Sequence, residues 1–351
     1  MKIKPMTKFA ILALSLVLVA CAGGGSEEAG CPAIDGREIN VVATTPMIGE
    51  FVSQVGGEKI NLTVLMPPEA NPHTYEPAPQ DAGTIAEADL VFYTGLLYEP
   101  AALVKLLENS ACSTDILSEV GESVFPIEFK EGGHDDHDDH DDHDDEEGHD
   151  DEEGHDDEEG HDDEEGHDDH EGHNHGAYDP HFWFDPSRVA YAAEYIESRL
   201  IEFDPENESS YKSSADSFVS ELNDLTKQVS ELISTVPSQN RKLITTHESL
   251  GYLEAKFGLE VLSTIIPSLN SANEISPSDL AGVIDVIEDN NVKVIFIESE
   301  APSVYSETIV AETGIKSVTG LYVETLKPGQ SYSEFLISNV TLITENLQDT
   351  D

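Results

Sequence analysis

Positive charge is scarce in this chain of 351 residues: 17 Lys and Arg stand against 72 Asp and Glu, for a formal net charge of −55. Such a surface repels phosphate backbones and anionic headgroups, which argues against nucleic acid and anionic membrane surfaces as partners. It suits the attraction of cations, or plain solubility. Cysteine is nearly absent too. The three present, Cys21, Cys31 and Cys112, are too widely spaced for a thiolate metal site, which needs close pairs. After the N-terminal segment no stretch reaches the ~18 consecutive apolar residues of a spanning helix. There is no Walker A phosphate loop and no Gly-x-Ser-x-Gly elbow, and His247-Glu248 lacks the second histidine of His-Glu-x-x-His. Any ATP hydrolysis tied to this chain therefore belongs to a separate subunit.

What is present begins with a secretory signal over residues 1–20. Lys2, Lys4 and Lys8 form a basic region, and Phe9 to Val19 form an apolar run too short to span a membrane comfortably. The run ends in Leu18-Val19-Ala20-Cys21, which resembles the lipobox of bacterial lipoproteins. That resemblance implies lipidation at Cys21 and an extracytoplasmic chain anchored to the bacterial membrane without crossing it. Residues 21–36 then read as a flexible tether. In an oxidising exported compartment Cys31 and Cys112 are free to pair, which would tie the N-terminal segment to the first domain.

Short β-branched runs alternate with helical patterns in the remainder. Ile39 to Thr44, Leu62 to Met66 and Leu90 to Thr94 read as strands, with helices at Met47 to Val55 and Asp81 to Ala88. The rhythm returns at Leu243 to Thr246, Val261 to Ile265, Val292 to Ile297 and Ser317 to Leu321. This order predicts an α/β fold of two lobes, each a parallel β-sheet flanked by helices, over residues 37–204 and 237–351. Between them, residues 205–236 read as one long rigid helix, started by Asp204 as N-cap and Pro205 at the first turn. Its apolar stripe is Tyr211, Ala215, Phe218, Leu222, Leu225, Val229 and Leu232, a core-facing pattern. At ~1.5 Å per residue the helix would extend roughly 48 Å, a strut rather than a hinge.

Histidine is distributed in two ways. Eleven of the fourteen lie between His134 and His175, inside an acidic tract, Glu131 to His175, that holds 26 acids and no Lys or Arg. It runs in His-Asp-Asp triplets and then in His-Asp-Asp-Glu-Glu-Gly hexamers from His143, His149, His155 and His161. With little apolar surface and strong self-repulsion, this insert in the first lobe is expected to be disordered. Its chemistry suits weak collection of transition-metal ions, since histidines are mostly neutral above pH 7. A solvated repeat with little influence on function is the plainer alternative.

The other three histidines stand alone. His73 lies in Pro72-His73-Thr74-Tyr75-Glu76-Pro77, His181 in Asp179-Pro180-His181-Phe182-Trp183, and His247 in Thr245-Thr246-His247. Each falls at or after a strand end, where α/β folds place ligands, and the two lobes both contribute, so a shared site would lie in the cleft between them. Three neutral imidazoles suit zinc, copper or nickel and leave a tetrahedral position for a carboxylate or water. Tyr75, Trp183 and Tyr252 read as walls of that site.

These segments, with Glu274-Ile275-Ser276-Pro277-Ser278-Asp279-Leu280, resemble the zinc/manganese solute-binding proteins of ABC transporters (cluster A-I), specifically the zinc-uptake lipoproteins of the ZnuA type. The resemblance covers about Ile39 to Asn346. It implies metal ligation by His73 and His181, and by His247 at the position that is histidine in zinc-type members and often glutamate in manganese-type members. It also aligns Glu324, in Gly320-Leu321-Tyr322-Val323-Glu324-Thr325-Leu326, with the family's fourth ligand, usually an aspartate and so one methylene shorter. Glu324 would then ligate directly, hold a water or hydrogen-bond a ligand histidine. Glu298, at the end of the strand Val292 to Ile297, is the runner-up, and is read first as a solvated strand-end carboxylate. The implied function is capture of Zn2+, with Mn2+ as the alternative cargo, and its delivery to a membrane permease with a separate ATPase subunit. A monomer is expected, with no catalysis. A zinc hydrolase would need an open coordination position, and a metal-dependent adhesin is a further role that the resemblance carries but these residues do not address.

Overall fold

The computed structural model describes residues 31, 33–34, 36–129, 178–299 and 304–348. The signal, Cys21, most of the tether and the acidic histidine tract lie outside these residues.

The first sheet is built from β1 (Ile39–Ala43), β2 (Ile60–Val64), β3 (Leu90–Tyr93) and β4 (Leu117–Glu119), in the order β2-β1-β3-β4 and parallel throughout. β1 reads Ile-Asn-Val-Val-Ala, the β-branched composition of a strand covered on both faces. Its side chains alternate accordingly. Ile39, Val41 and Ala43 enter the main core, while Val42 joins a smaller cluster on the opposite face with Met66, Ile85 and Leu103. Helices α1 (Pro46–Gly56), α2 (Pro79–Ala86) and α3 (Ala101–Ser110) connect the strands. Thr45 caps α1 by accepting from the Ile48 N–H at 3.2 Å, with Pro46 in the first turn. Cys31 and Cys112 are joined in a disulfide, which fixes the start of the described chain to the end of α3.

The second sheet repeats the plan with β5 (Lys242–His247), β6 (Glu260–Ile266), β7 (Val294–Glu298) and β8 (Lys316–Leu321), ordered β6-β5-β7-β8 and again parallel. Helices α6 (Gly251–Phe257), α7 (Pro277–Asn290), α8 (Val304–Thr313) and α9 (Tyr332–Gln348) accompany it. In both sheets the first strand lies inside, paired with the second on one side and the third on the other. Successive connections thus leave in opposite directions beside the central pair, which opens a crevice at the carboxyl edge of β1/β3 and of β5/β7.

Two helices link the sheets: α4 (Pro186–Phe203) and α5 (Glu208–Ser234). The long helix differs from its sequence reading at both ends. Pro205–Asn207 form a 3-10 turn, and the Asp204 carboxylate accepts from the Tyr211 hydroxyl and the Asn207 amide, both at 2.7 Å, rather than from helix N–H groups. The remaining 27 residues extend about 40 Å at ~1.5 Å per residue. The buried stripe follows the expected residues to Val229 and then steps four to Ile233, leaving Leu232 half-buried beside it. α5 packs against α1 and α4 on one side of the molecule and against α9 of the second lobe. One hydrophobic core runs through both lobes along it, including Phe51, Trp183, Leu222, Phe296 and Phe335.

Candidate metal centre

Each lone histidine is delivered by a distinct local device. His73 sits in a 3-10 turn, Pro72–Thr74, that follows β2. The Asn71 side chain accepts from the His73 N–H at 2.9 Å and donates to Ser271 of the other lobe at 3.0 Å. His181 precedes the turn Phe182–Phe184 that leads into α4. Asp179 Oδ1 accepts from both the backbone N–H and ring Nδ1 of His181, each at 2.8 Å. His247 is the last residue of β5, and Glu298 is the last residue of the neighbouring β7. Glu298 accepts from the His247 N–H at 3.2 Å and takes the His247 Nδ1–H in a short hydrogen bond.

Both carboxylates therefore occupy Nδ1, fix the ring orientation and leave Nε2 as the presenting atom. In both rings Nε2 is fully buried. Glu324, in the loop after β8, is fully buried where the rings converge. Its Oε1 lies 3.1 Å from Nε2 of His73 and 3.0 Å from Nε2 of His247, and its Oε2 lies 3.5 Å from Nε2 of His181. One ligand atom from each of the four residues falls within 4.8 Å of all the others. A tetrahedral ion with bonds of about 2.1 Å separates its ligand atoms by about 3.4 Å, so small adjustments of these side chains would admit one.

The electrostatics match a cation site. Burial pushes the His181 imidazole down, but the adjacent Asp179 and Glu324 carboxylates outweigh it and raise its pKa to about 9. His247 is likewise opposed by burial and carried well above its usual range by Glu298 and Glu324. Burial would raise Glu324, yet the charges of His73 and His247 and the contacts of His181 and His247 hold it well below the carboxylate range. Positive charge is thus favoured at the centre of a buried cluster.

Several surrounding residues differ from their sequence reading. Glu298 is only 2% exposed and bonds to His247, Thr246 and Ser249, so it is not a solvated strand end. Its partners on β5 and just after it enclose this strand end, so it lacks the usual exposure of such positions. Trp183 does pack on His181, with ring centres 5.5 Å apart. Tyr252 instead acts through Asp179, donating to its carbonyl at 2.8 Å. Tyr75 is no wall of the site: its hydroxyl bonds Asp81 at 2.9 Å and its ring packs on the outer-face cluster. The wall residue that sequence reasoning missed is Tyr98, in the loop after β3. Its ring lies 5.0 Å from His73 and 5.8 Å from His181, and its hydroxyl donates to Glu324 Oε2 at 2.9 Å. An aromatic side chain just past a strand's carboxyl end was the only available signal.

Two parallel α/β lobes with four buried ligand-type side chains between them define a two-lobed solute-binding protein. Residues 41–346 match the family model described as zinc-uptake complex component A, periplasmic, and the chain belongs to that family of solute-binding proteins. Among relatives, the high-affinity zinc uptake system protein ZnuA of Bacillus subtilis is 27% identical over 349 residues, covering 97% of this chain and 96% of that protein. The manganese ABC transporter substrate-binding lipoprotein PsaA of Streptococcus anginosus is 25% identical over 354 residues, covering 98% and 99% respectively. In fold, the chain is similar to the periplasmic zinc-binding protein TroA of Treponema pallidum, with a TM-score of 0.70 and 20% identity over 88% of this chain and 99% of that one.

Proposed function

We propose that this protein is the extracytoplasmic substrate-binding component of a metal ABC transporter, with Zn2+ as its cargo. His73, His181, His247 and Glu324 hold the ion, and a membrane permease with a separate ATPase subunit receives it. The observation that carries this reading is the convergence of three imidazole Nε2 atoms on one buried carboxylate. Three nitrogens and one oxygen in a dry, four-cornered site suit Zn2+, whereas Mn2+ favours more oxygen ligands in octahedral array. Four protein ligands leave no open position for catalysis, which favours binding over a hydrolase role. Manganese is the second reading, because relatives of comparable similarity are named for each metal.

Asp179 and Glu298 keep both Nδ1 atoms protonated and turn Nε2 inward. Loss of one ligand at the permease would free the ion without a large movement of either lobe. Anchoring through a lipid on Cys21 fits the relatives named as lipoproteins, and among the described residues no helix is long and apolar enough to cross a membrane. The chain acts as a monomer, without nucleic acid. The acidic histidine tract gathers ions weakly nearby. Competitive calorimetry with Zn2+ and Mn2+ tests the assignment: tighter Zn2+ binding is expected, and tighter Mn2+ binding would overturn it.

A further inference from the structure

The loop after β3 has an unusual backbone. Gly95, Leu96 and Leu97 all have positive φ, at 76°, 53° and 61°, and two of the three carry side chains that disfavour this region. The surroundings hold it in place. Glu99, itself buried, accepts from the N–H groups of Thr94 at 2.7 Å and Gly95 at 2.9 Å, and from the Thr44 hydroxyl at 2.7 Å. Glu119 accepts from the Leu96 N–H at 2.8 Å. A Cβ on Gly95 would lie 2.0 Å from Glu119 Oε1, so any larger residue there would have to push the Glu119 side chain aside. Such a conformation persists only where its environment over-determines it.

The product of this loop is the position of Tyr98. Its ring is packed edge-on against His73, His181 and Trp183. Its hydroxyl reaches across the cleft to Glu324, 2.9 Å from Oε2 and 3.1 Å from the backbone oxygen. The other carboxylate oxygen, Oε1, is the one lying near Nε2 of both His73 and His247, while Oε2 is 3.5 Å from Nε2 of His181 as well as within reach of the phenol.

Taking His73, His181, His247 and Glu324 as the ligands proposed above, we infer that Tyr98 sets metal specificity by occupying Glu324 Oε2. With that oxygen engaged by the phenol, Glu324 gives the ion a single oxygen and the site stays four-coordinate. Without the phenol, the carboxylate turns both oxygens to the ion and adds a fifth ligand atom. Zn2+ is served by the first arrangement; Mn2+, which takes oxygen ligands in higher number, is served by the second. Tyr98 is thus a positioning residue that acts through Glu324.

Tyr98→Phe removes the hydroxyl and keeps the ring contacts. The test titrates the wild-type protein and Tyr98→Phe with Zn2+ and Mn2+ and records visible spectra of both with Co2+ as the bound probe. Losing a hydrogen bond to a charged group predicts that the Zn2+/Mn2+ affinity ratio falls by about tenfold or more. The intense bands of four-coordinate Co2+ should weaken in the variant as coordination rises. An unchanged ratio and an unchanged Co2+ spectrum, with tight wild-type binding, would overturn the role of Tyr98 alone. Failure of the underlying site assignment looks different: His181→Ala would then bind Zn2+ as tightly as the wild type.

Discussion

Trp183, two residues after His181, donates its indole N–H to the carbonyl of Val323, the residue before Glu324, at 2.8 Å. The Tyr332 hydroxyl returns the connection, donating to the Trp183 carbonyl at 2.7 Å. The segments that carry His181 and Glu324 are therefore stitched together beside the site, over a core shared along α5. Little relative movement should accompany metal binding. Solution scattering and crystal structures of metal-free and metal-loaded protein are expected to superimpose closely, and a large hinge rotation between them would contradict this.

Glu298 orients His247 from β7. Glu298→Ala leaves the imidazole free to turn and is expected to weaken Zn2+ binding about 10–100-fold, as removal of such supporting groups does elsewhere. Calorimetry measures the loss, with the melting temperature of the metal-free variant as the control for folding. Undiminished affinity would show that His247 does not depend on this carboxylate.

Gly251 opens α6 directly above Asp179. A Cβ there would come within 2.6 Å of Asp179 Oδ2, whose other oxygen is committed to His181. Gly251→Ala should cost about 1–3 kcal/mol of stability by overpacking and should weaken metal binding as well. Denaturant melts and a Zn2+ titration check both effects. A variant as stable and as tight-binding as wild type would mean that the Asp179 segment moves aside freely.

Protons compete with the ion. With its pKa raised to about 9, His181 carries a proton in the metal-free protein at pH 7.5, and Zn2+ must displace it. Calorimetry in buffers of different ionisation heat should show proton release at pH 7.5 that falls away above pH 9. The same shift sets metal-free stability: the His181 contribution is full below its usual pKa of 6.5 and is lost as pH rises through about 9. The depressed Glu324 contributes above its usual 4.5, and that contribution is lost as pH falls through its lowered folded-state pKa. Release that does not change with pH would rule out a protonated His181.

Much of this architecture could be read from the chain, for physical reasons that differ by residue. Strands such as β1 and β7 are short, β-branched and buried on both faces, so composition alone marks them. β4, three residues reading Leu-Ser-Glu, has too little pattern to reveal itself. The lone histidines stood out because each sits in a compact segment at a strand end, whereas Glu324 was distinguishable from other carboxylates only through the family resemblance. Tyr98 and the His247-orienting role of Glu298 were hidden for a common reason. Their roles depend on which groups the opposite lobe or the adjacent strand brings to them, and no local spacing encodes that.

In the function proposed above, three solitary histidines, rather than the eleven clustered ones, hold the transported ion. The most direct measurement is Zn2+ calorimetry on two variants, one lacking residues 131–175 and the other carrying His181→Ala in the full chain. One tight site should remain after the deletion, and His181→Ala should lose affinity severely. Tight binding that vanished with the tract and survived the substitution would contradict it.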